Sequence, residues 1–167
     1  MILGLSLSAF TLLHVIISLI AIAAGLVVMV GLFGSSRMPV MTAIFLLFTI
    51  LTSATGFLFP FTQLLPSHMI GILSLVLLAV ACIALYAMKL SGPWRGVYVL
   101  TALISLYLNV FVLVIQSFLK VPALTAVAPG NPPSGPVFAV VQGIVLVFFV
   151  LMIIGALRRF RPVAAFG

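Results

Sequence analysis

Hydrophobic residues run along this chain in five long segments, each broken by only a few small or polar positions. A helix needs roughly 20 apolar residues to cross a hydrocarbon core of about 30 Å, and each segment has that length. The connections between the segments are rich in proline, glycine and serine, which end helices. The pattern predicts five membrane-spanning helices, at Leu7–Phe33, Val40–Phe61, Ser67–Met88, Gly96–Leu119 and Val137–Leu157.

The fourth segment carries the richest line of polar side chains. Most of its members are four residues apart and therefore share one face of a helix: Thr101, Ser105, Asn109, Gln116 and Lys120. An amide that faces hydrocarbon without a partner costs several kcal/mol. We therefore expect this face to point into a helix bundle.

Composition indicates that the bilayer is the solvent of this protein. Of the 167 residues, 66% are hydrophobic and only 4% are charged, and the mean hydropathy is +1.57. A water-soluble domain of this size cannot cover such an interior with so few charges. We predict an all-α, polytopic membrane helix bundle that forms one transmembrane domain over residues 1–167. Residues 120–136 hold five prolines, and we expect them to form an irregular external loop.

Charge argues against several classes of protein. The chain has no Asp or Glu, which excludes carboxylate-driven proton or sodium coupling and disfavours metal-dependent hydrolysis. Its one cysteine, Cys82, forms no paired-thiol motif and argues against thiol oxidation. We found no glycine-rich phosphate loop and expect no nucleic-acid partner. An enzymatic role is therefore not favoured.

The cations predict the orientation of the bundle. They are Arg37, Lys89, Arg95, Lys120, Arg158, Arg159 and Arg161. With five spans, only Lys120 falls on the side of the N-terminus, so six cations oppose one. Because cytoplasmic loops are enriched in Lys and Arg, we expect an external N-terminus and a cytoplasmic C-terminus.

The cytoplasmic side also contains the predicted anchors. Trp94 and Arg95 form an aromatic–cation pair that is typical of the membrane interface. Arg158, Arg159 and Arg161 follow the last span, where they would stop its transfer and contact anionic lipids.

The strongest hydrogen-bonding side chains fall in the predicted outer half of the bundle. We predict an external-side pocket lined by His14, Asn109, Gln116 and Gln142, with His68 at its rim as a solvated residue. Small and polar residues also recur along the first three spans, where they would face the same interior: Thr11, Ser18, Ala21, Gly25, Thr42, Thr49, Ser53, Gly56, Gly71 and Ser74. Ordinary helix packing uses the same residue types, so packing is the alternative interpretation.

Two ligands suit such a pocket. Histidines on two helices of a bundle can ligate haem b between them, which points to His14 and His68. A quinone or a lipid head group could instead receive hydrogen bonds from histidine and amide side chains in an apolar pocket. A metal ion would need a third strong ligand beside the two histidines.

Five phrases along the chain look familiar: TGFLFPF at Thr55–Phe61, PSHMIGILSL at Pro66–Leu75, GPWRGVYV at Gly92–Val99, LYLNVFVLVIQSF at Leu106–Phe118 and KVPAL at Lys120–Leu124. Together they resemble a group of small multi-spanning bacterial inner-membrane proteins. The resemblance covers about half of the chain, from the second span to the fourth loop. It implies a bacterial inner-membrane location and a shared core around His68 and Asn109. It brings no reaction with it.

These observations favour a small, non-catalytic binding or accessory subunit that works in a larger membrane assembly or as a homo-oligomer. A redox module that binds haem b or a quinone on the external side is the first alternative. An oligomeric pore or carrier for a neutral or anionic solute is the second, with the Thr101–Lys120 face as its lining.

Overall fold

The computed structural model describes residues 1–60, 63 and 66–162, and these form a helical bundle. The helices are α1 (Leu7–Phe33), α2 (Pro39–Gly56), α3 (Pro66–Cys82), α4 (Trp94–Lys120), α5 (Pro122–Val127) and α6 (Pro136–Arg159). A π-helical turn, Ile83–Ala87, continues α3. Within the described ranges, five helices are long and apolar enough to cross a membrane. The prediction of an all-helical bundle with five such helices is confirmed.

The helix bounds differ from the predicted ones where proline controls the backbone. The second helix ends at Gly56 rather than at Phe61, which lies outside the described residues. Pro60 disfavours a helical conformation at the residue before it, so the chain leaves the helix early. In the loop predicted to be irregular, Pro122 begins the short helix α5, because proline fits the first turn of a helix.

The fourth helix lies at the centre of the bundle. It packs against α1, α2, α3 and α6, while α1 and α2 form the most extensive helix pair. The first half of the polar face of α4 points inward as predicted, with Thr101 7% exposed and Ser105 fully buried, whereas Gln116 and Lys120 are exposed. By contrast, only three of the 24 residues of α6 are buried. The outward face of α6 is apolar and compatible with lipid.

Hydrogen bonds tie three segments together at one end of the bundle, which we call the arginine end. The Arg95 guanidinium, at the start of α4, donates to the carbonyls of Leu157 and Phe160 at 3.1 and 2.7 Å. Ser35, after α1, donates through its hydroxyl to the Arg159 carbonyl at 2.6 Å. The backbone N–H of Arg161 donates back to the same hydroxyl at 2.9 Å.

This arrangement gives the predicted anchors a structural setting. Trp94 is partly buried and packs against the hydrophobic core, while the Arg158 and Arg159 side chains are exposed at the end of α6. Arg95 does more than mark an interface, since it satisfies backbone carbonyls that the end of α6 leaves unpaired. Lys120 lies at the other end of α4. We call that other end the histidine end, because α1 and α3 place His14 and His68 there.

Candidate ligand-binding cavity

A cavity of about 620 Å³ opens at the histidine end between α1, α2, α3 and α4. Its volume falls within the range of roughly 300–1,000 Å³ that is usual for small-molecule sites. Most of the wall is apolar. The polar lining residues are Thr11, His14, Ser18, Thr52, Ser53, Ser67, His68, Ser74, Asn109, Gln116, Ser117 and Lys120. Four of the five residues predicted from sequence therefore share one cavity.

His14 has one ring nitrogen held by the neighbouring helix. Its Nδ1 lies 2.7 Å from the Thr55 hydroxyl oxygen. That hydroxyl also lies 2.7 Å from the Leu51 carbonyl and 3.2 Å from the Thr52 carbonyl. Both carbonyls can only accept, so we assign the hydroxyl hydrogen to the helix backbone and its lone pair to His14. With this assignment Nδ1 carries the proton, and Nε2 of the ring that borders the cavity is left as an acceptor. The edge of the ring also packs on Phe59, with ring centroids 5.2 Å apart.

Asn109 meets α2 in the same way. Its Nδ2 donates to the Thr49 hydroxyl over a long 3.5 Å contact, and Thr49 donates to the carbonyl of Phe45 at 2.6 Å. His14 of α1 and Asn109 of α4 thus each contact the hydroxyl of an α2 threonine, and that hydroxyl donates its own hydrogen to the helix backbone. The two contacts fix the faces of α1 and α4 that border the cavity.

Ser74 differs from most hydroxyl-bearing residues of the spans. Most hydroxyls on these helices donate to the carbonyl four residues earlier, including Thr11, Thr49, Thr52, Thr55, Thr101, Ser105 and Ser117. Ser74 is only 2% exposed and lies on the cavity wall, yet its Oγ has no hydrogen-bond partner among the described residues. A buried hydroxyl without a partner costs about 1–3 kcal/mol. The Ser74 Oγ is covered in the structure, so a ligand would remove that cost once the side chain turned towards the cavity.

His68 is more buried than a rim residue should be. Its side chain is 5% exposed, and its ring lies 5.6 Å from the Phe57 ring. The cause is the close approach of α3 to the end of α2, where a Cβ added to Gly71 would lie 3.1 Å from the Phe57 ring. The expectation of a solvated His68 is therefore corrected: it forms part of the wall.

Gln142 lies away from the cavity wall. Its Nε2 donates to the carbonyl of Phe111 at 3.1 Å, and the side chain is 9% exposed between α6 and α4. Because α6 packs mainly on α4 and α1, Gln142 faces α4 rather than the space between α2 and α3. Gln142 is therefore not among the described residues that line this cavity.

Gln116 and Lys120 are exposed on the part of the wall formed by the end of α4. Lys120 is the one cation among the described residues that line the cavity. No group of three or more His, Cys, Asp or Glu side chains that could hold a metal ion occurs within the described part of the chain. The described lining therefore offers hydrogen-bonding groups and a single positive charge.

Two residues that matter for the cavity carry no distinctive signal in the sequence. Ser74 was expected only as one member of a small and polar stripe, and Thr55 was not singled out. A serine that bonds its own helix and one that does not look the same in a sequence. The partner of His14 depends on the rotation of α2 against α1, which residue spacing leaves open.

Comparison with known proteins adds no relative. No family model, curated protein or solved structure matches the chain. The resemblance to small bacterial inner-membrane proteins therefore stays a prediction, and the geometry of the cavity carries the functional argument.

Proposed function

We propose that this chain is an integral membrane protein that binds a lipophilic small molecule, without catalysis, in the cavity between α1, α2, α3 and α4. The observation that carries the proposal is the buried, unpartnered hydroxyl of Ser74 on the cavity wall. Packing alone would favour alanine there, since alanine fills nearly the same space without a polar group. A ligand gives the hydroxyl a reason to be present.

The shape and lining of the cavity support the same proposal. A largely apolar wall suits a molecule that partitions into membranes, and a few fixed polar groups set its orientation. His14 and Asn109 are held in place by threonines of α2, so the polar groups are ordered before a ligand arrives. Pre-ordered groups lose less conformational entropy on binding, which favours affinity.

The proposal includes the location and orientation of the bundle. We place it in a bacterial inner membrane with the arginine end in the cytoplasm, because six of the seven cations lie at that end. The cavity would then open towards the external leaflet. A reporter domain fused after residue 162 is expected to be active only in its cytoplasmic form. Activity of a periplasm-dependent reporter at that position would reverse the orientation.

Replacing Ser74 with alanine is expected to separate stability from binding. Without ligand, Ser74→Ala raises the free energy of unfolding by about 1 kcal/mol, because it removes a buried hydroxyl with no partner. The same change weakens ligand binding about tenfold, which corresponds to one lost hydrogen bond of about 1.4 kcal/mol. Thermal unfolding in detergent measures the first effect. Mass spectrometry of solvent extracts from protein purified from native membranes measures the retained ligand.

Ser105→Ala is the matched control. Ser105 is fully buried on α4 and already donates to the Thr101 carbonyl at 2.9 Å, away from the cavity wall. We expect this variant to retain as much small molecule as the wild type. Equal retention in the wild type and in both variants, together with a less stable Ser74→Ala, would favour packing over a ligand site.

Haem b is a second candidate, favoured by one observation. His14 and His68 border the same cavity, and the Thr55 contact orients His14 with Nε2 available as a ligand atom. The absorption spectrum of the purified protein distinguishes the two candidates. A haem band that disappears in His14→Phe would support haem, whereas a colourless protein that retains an extractable lipophilic molecule supports the first proposal.

A further inference from the structure

We infer that the ligand presents a hydroxyl group that donates a hydrogen bond to Nε2 of His14, as a lipophilic phenol, quinol or alcohol does. This inference rests on the proposed function and specifies its ligand class. Molecules whose polar groups only accept hydrogen bonds, such as ethers, ketones and quinones in their oxidised form, would leave Nε2 unpaired. The cavity is therefore selective for hydrogen-bond donors at this point.

The direction of the contact follows from a chain of three groups. The Leu51 carbonyl can only accept, so the Thr55 hydroxyl donates to it over 2.7 Å. Thr55 has no second hydrogen and accepts from His14 Nδ1 over 2.7 Å. A neutral imidazole has one N–H, so Nε2 keeps a lone pair. A backbone carbonyl thus determines what the ligand must offer at the other side of the ring.

Thr55 acts at a distance from the ligand. It does not line the cavity, whereas His14 does. Thr55 is therefore a positioning residue whose hydroxyl selects the tautomer of His14. Removing that hydroxyl frees the ring to carry its proton on Nε2, where it would donate rather than accept. A substitution of Thr55 would therefore change the ligand preference of the cavity through the tautomer of His14.

The neighbouring polar groups complete the recognition. A hydroxyl that donates to Nε2 still has two lone pairs, so it can also accept a hydrogen bond. Ser74 of α3 has a buried, unpartnered hydroxyl at the cavity wall, which can donate to an oxygen of the ligand after a rotation of its side chain. The apolar wall takes the hydrocarbon part of the molecule. The cavity thus suits an amphiphile with a small hydroxyl-bearing head.

A matched pair of probes tests the inference. Tritiated 4-nonylphenol and its methyl ether, 4-nonylanisole, share an apolar body and differ in the hydroxyl. In equilibrium binding to the full chain in detergent micelles, we expect the phenol to bind at least tenfold more tightly than the ether. Farnesol and its methyl ether, measured in the same way, show whether aliphatic alcohols share the preference. A preference within either pair supports the inference.

Substitutions at Thr55 and His14 test the mechanism. In Thr55→Val the phenol-to-ether ratio is expected to fall to within about threefold, and Thr55→Ser is expected to restore it, since serine keeps the hydroxyl. In His14→Phe, which preserves an aromatic ring beside Phe59, phenol affinity should fall to that of the ether. A merely structural role for Thr55 would weaken both probes equally and leave the ratio unchanged.

The outcomes separate this inference from the proposed function. Saturable binding of phenol, ether and both farnesyl probes without preference for the hydroxyl would overturn the inference and leave the binding function standing. Saturable binding of none of the probes, together with no molecule in solvent extracts, would overturn both. A hydroxyl preference that survives in Thr55→Val would overturn the tautomer mechanism. If Thr55→Val does not fold, the wild-type ratio and His14→Phe decide the question.

Discussion

Replacing Arg95 with methionine is expected to lower the free energy of unfolding by about 3 kcal/mol, since each hydrogen bond to a charged group contributes about 1.5–3 kcal/mol. The guanidinium of Arg95 is half-buried and donates to two carbonyls at the end of α6, those of Leu157 and Phe160. Methionine keeps an unbranched side chain but donates no hydrogen bond. Both carbonyls would then lose their donor, and α6 would lose its main polar contact with α4.

Thermal and chemical unfolding in detergent measure this loss. Arg158→Met is the matched control, because Arg158 carries the same charge on the same end of the bundle but is exposed. We expect the control to change stability by less than about 0.5 kcal/mol, as is usual for surface substitutions. Arg95→Lys should fall between the two, since an ammonium group cannot reproduce the fork of a guanidinium. Equal stability of Arg95→Met and Arg158→Met would show that the contacts with α6 contribute nothing.

Gly25→Ala is the second substitution with a large expected effect. We expect it to lower the free energy of unfolding by about 1–3 kcal/mol, because the added methyl group overpacks the core. A Cβ at this position of α1 would lie 2.6 Å from Leu106 Cδ1 and 2.9 Å from Phe45 Cδ1. Leu106 and Phe45 are both fully buried in the core where α1, α2 and α4 meet, so neither has room to move aside. Alanine would have to push the helices apart.

Gly143→Ala serves as the control for this substitution. A Cβ at Gly143 of α6 would meet nothing within 4 Å. Both changes give the same intrinsic gain in helix propensity, about 1 kcal/mol, so their difference isolates the steric effect. We expect Gly143→Ala to be neutral or stabilising in the same unfolding assay. A Gly25→Ala protein as stable as Gly143→Ala would mean that the core at this crossing can relax.

Residue spacing predicted the fold better than the cavity. The bounds of α1 follow from the length of its apolar segment, and the inward face of α4 follows from the spacing of its polar residues, because the cost of exposing polar groups to hydrocarbon is local to each helix. The order of helices around α4 is a tertiary property. It decides that Asn109 reaches the cavity while Gln142 does not, although both were predicted as lining residues.

The details that give the cavity its chemistry depend on rotamers and helix rotation. His68 was expected near water because it begins a helix, yet its ring lies against Phe57. Ser74 has the composition of an ordinary packing residue, and only its missing partner distinguishes it within the described structure. Such features arise where neighbouring helices leave space between them. A pattern along one helix does not contain that information.

The threonine hydroxyls of α2 bear on the absence of aspartate and glutamate from the chain. Thr49 and Thr55 give their hydrogens to their own helix, so at these two positions α2 offers only oxygen lone pairs to its neighbours. A neighbouring helix can form a hydrogen bond with these oxygens only through a donor group, as it does with the Asn109 amide and the His14 ring. An aspartate or glutamate at either position would set lone pair against lone pair. The absence of acidic residues from this sequence is therefore compatible with the way its helices recognise one another.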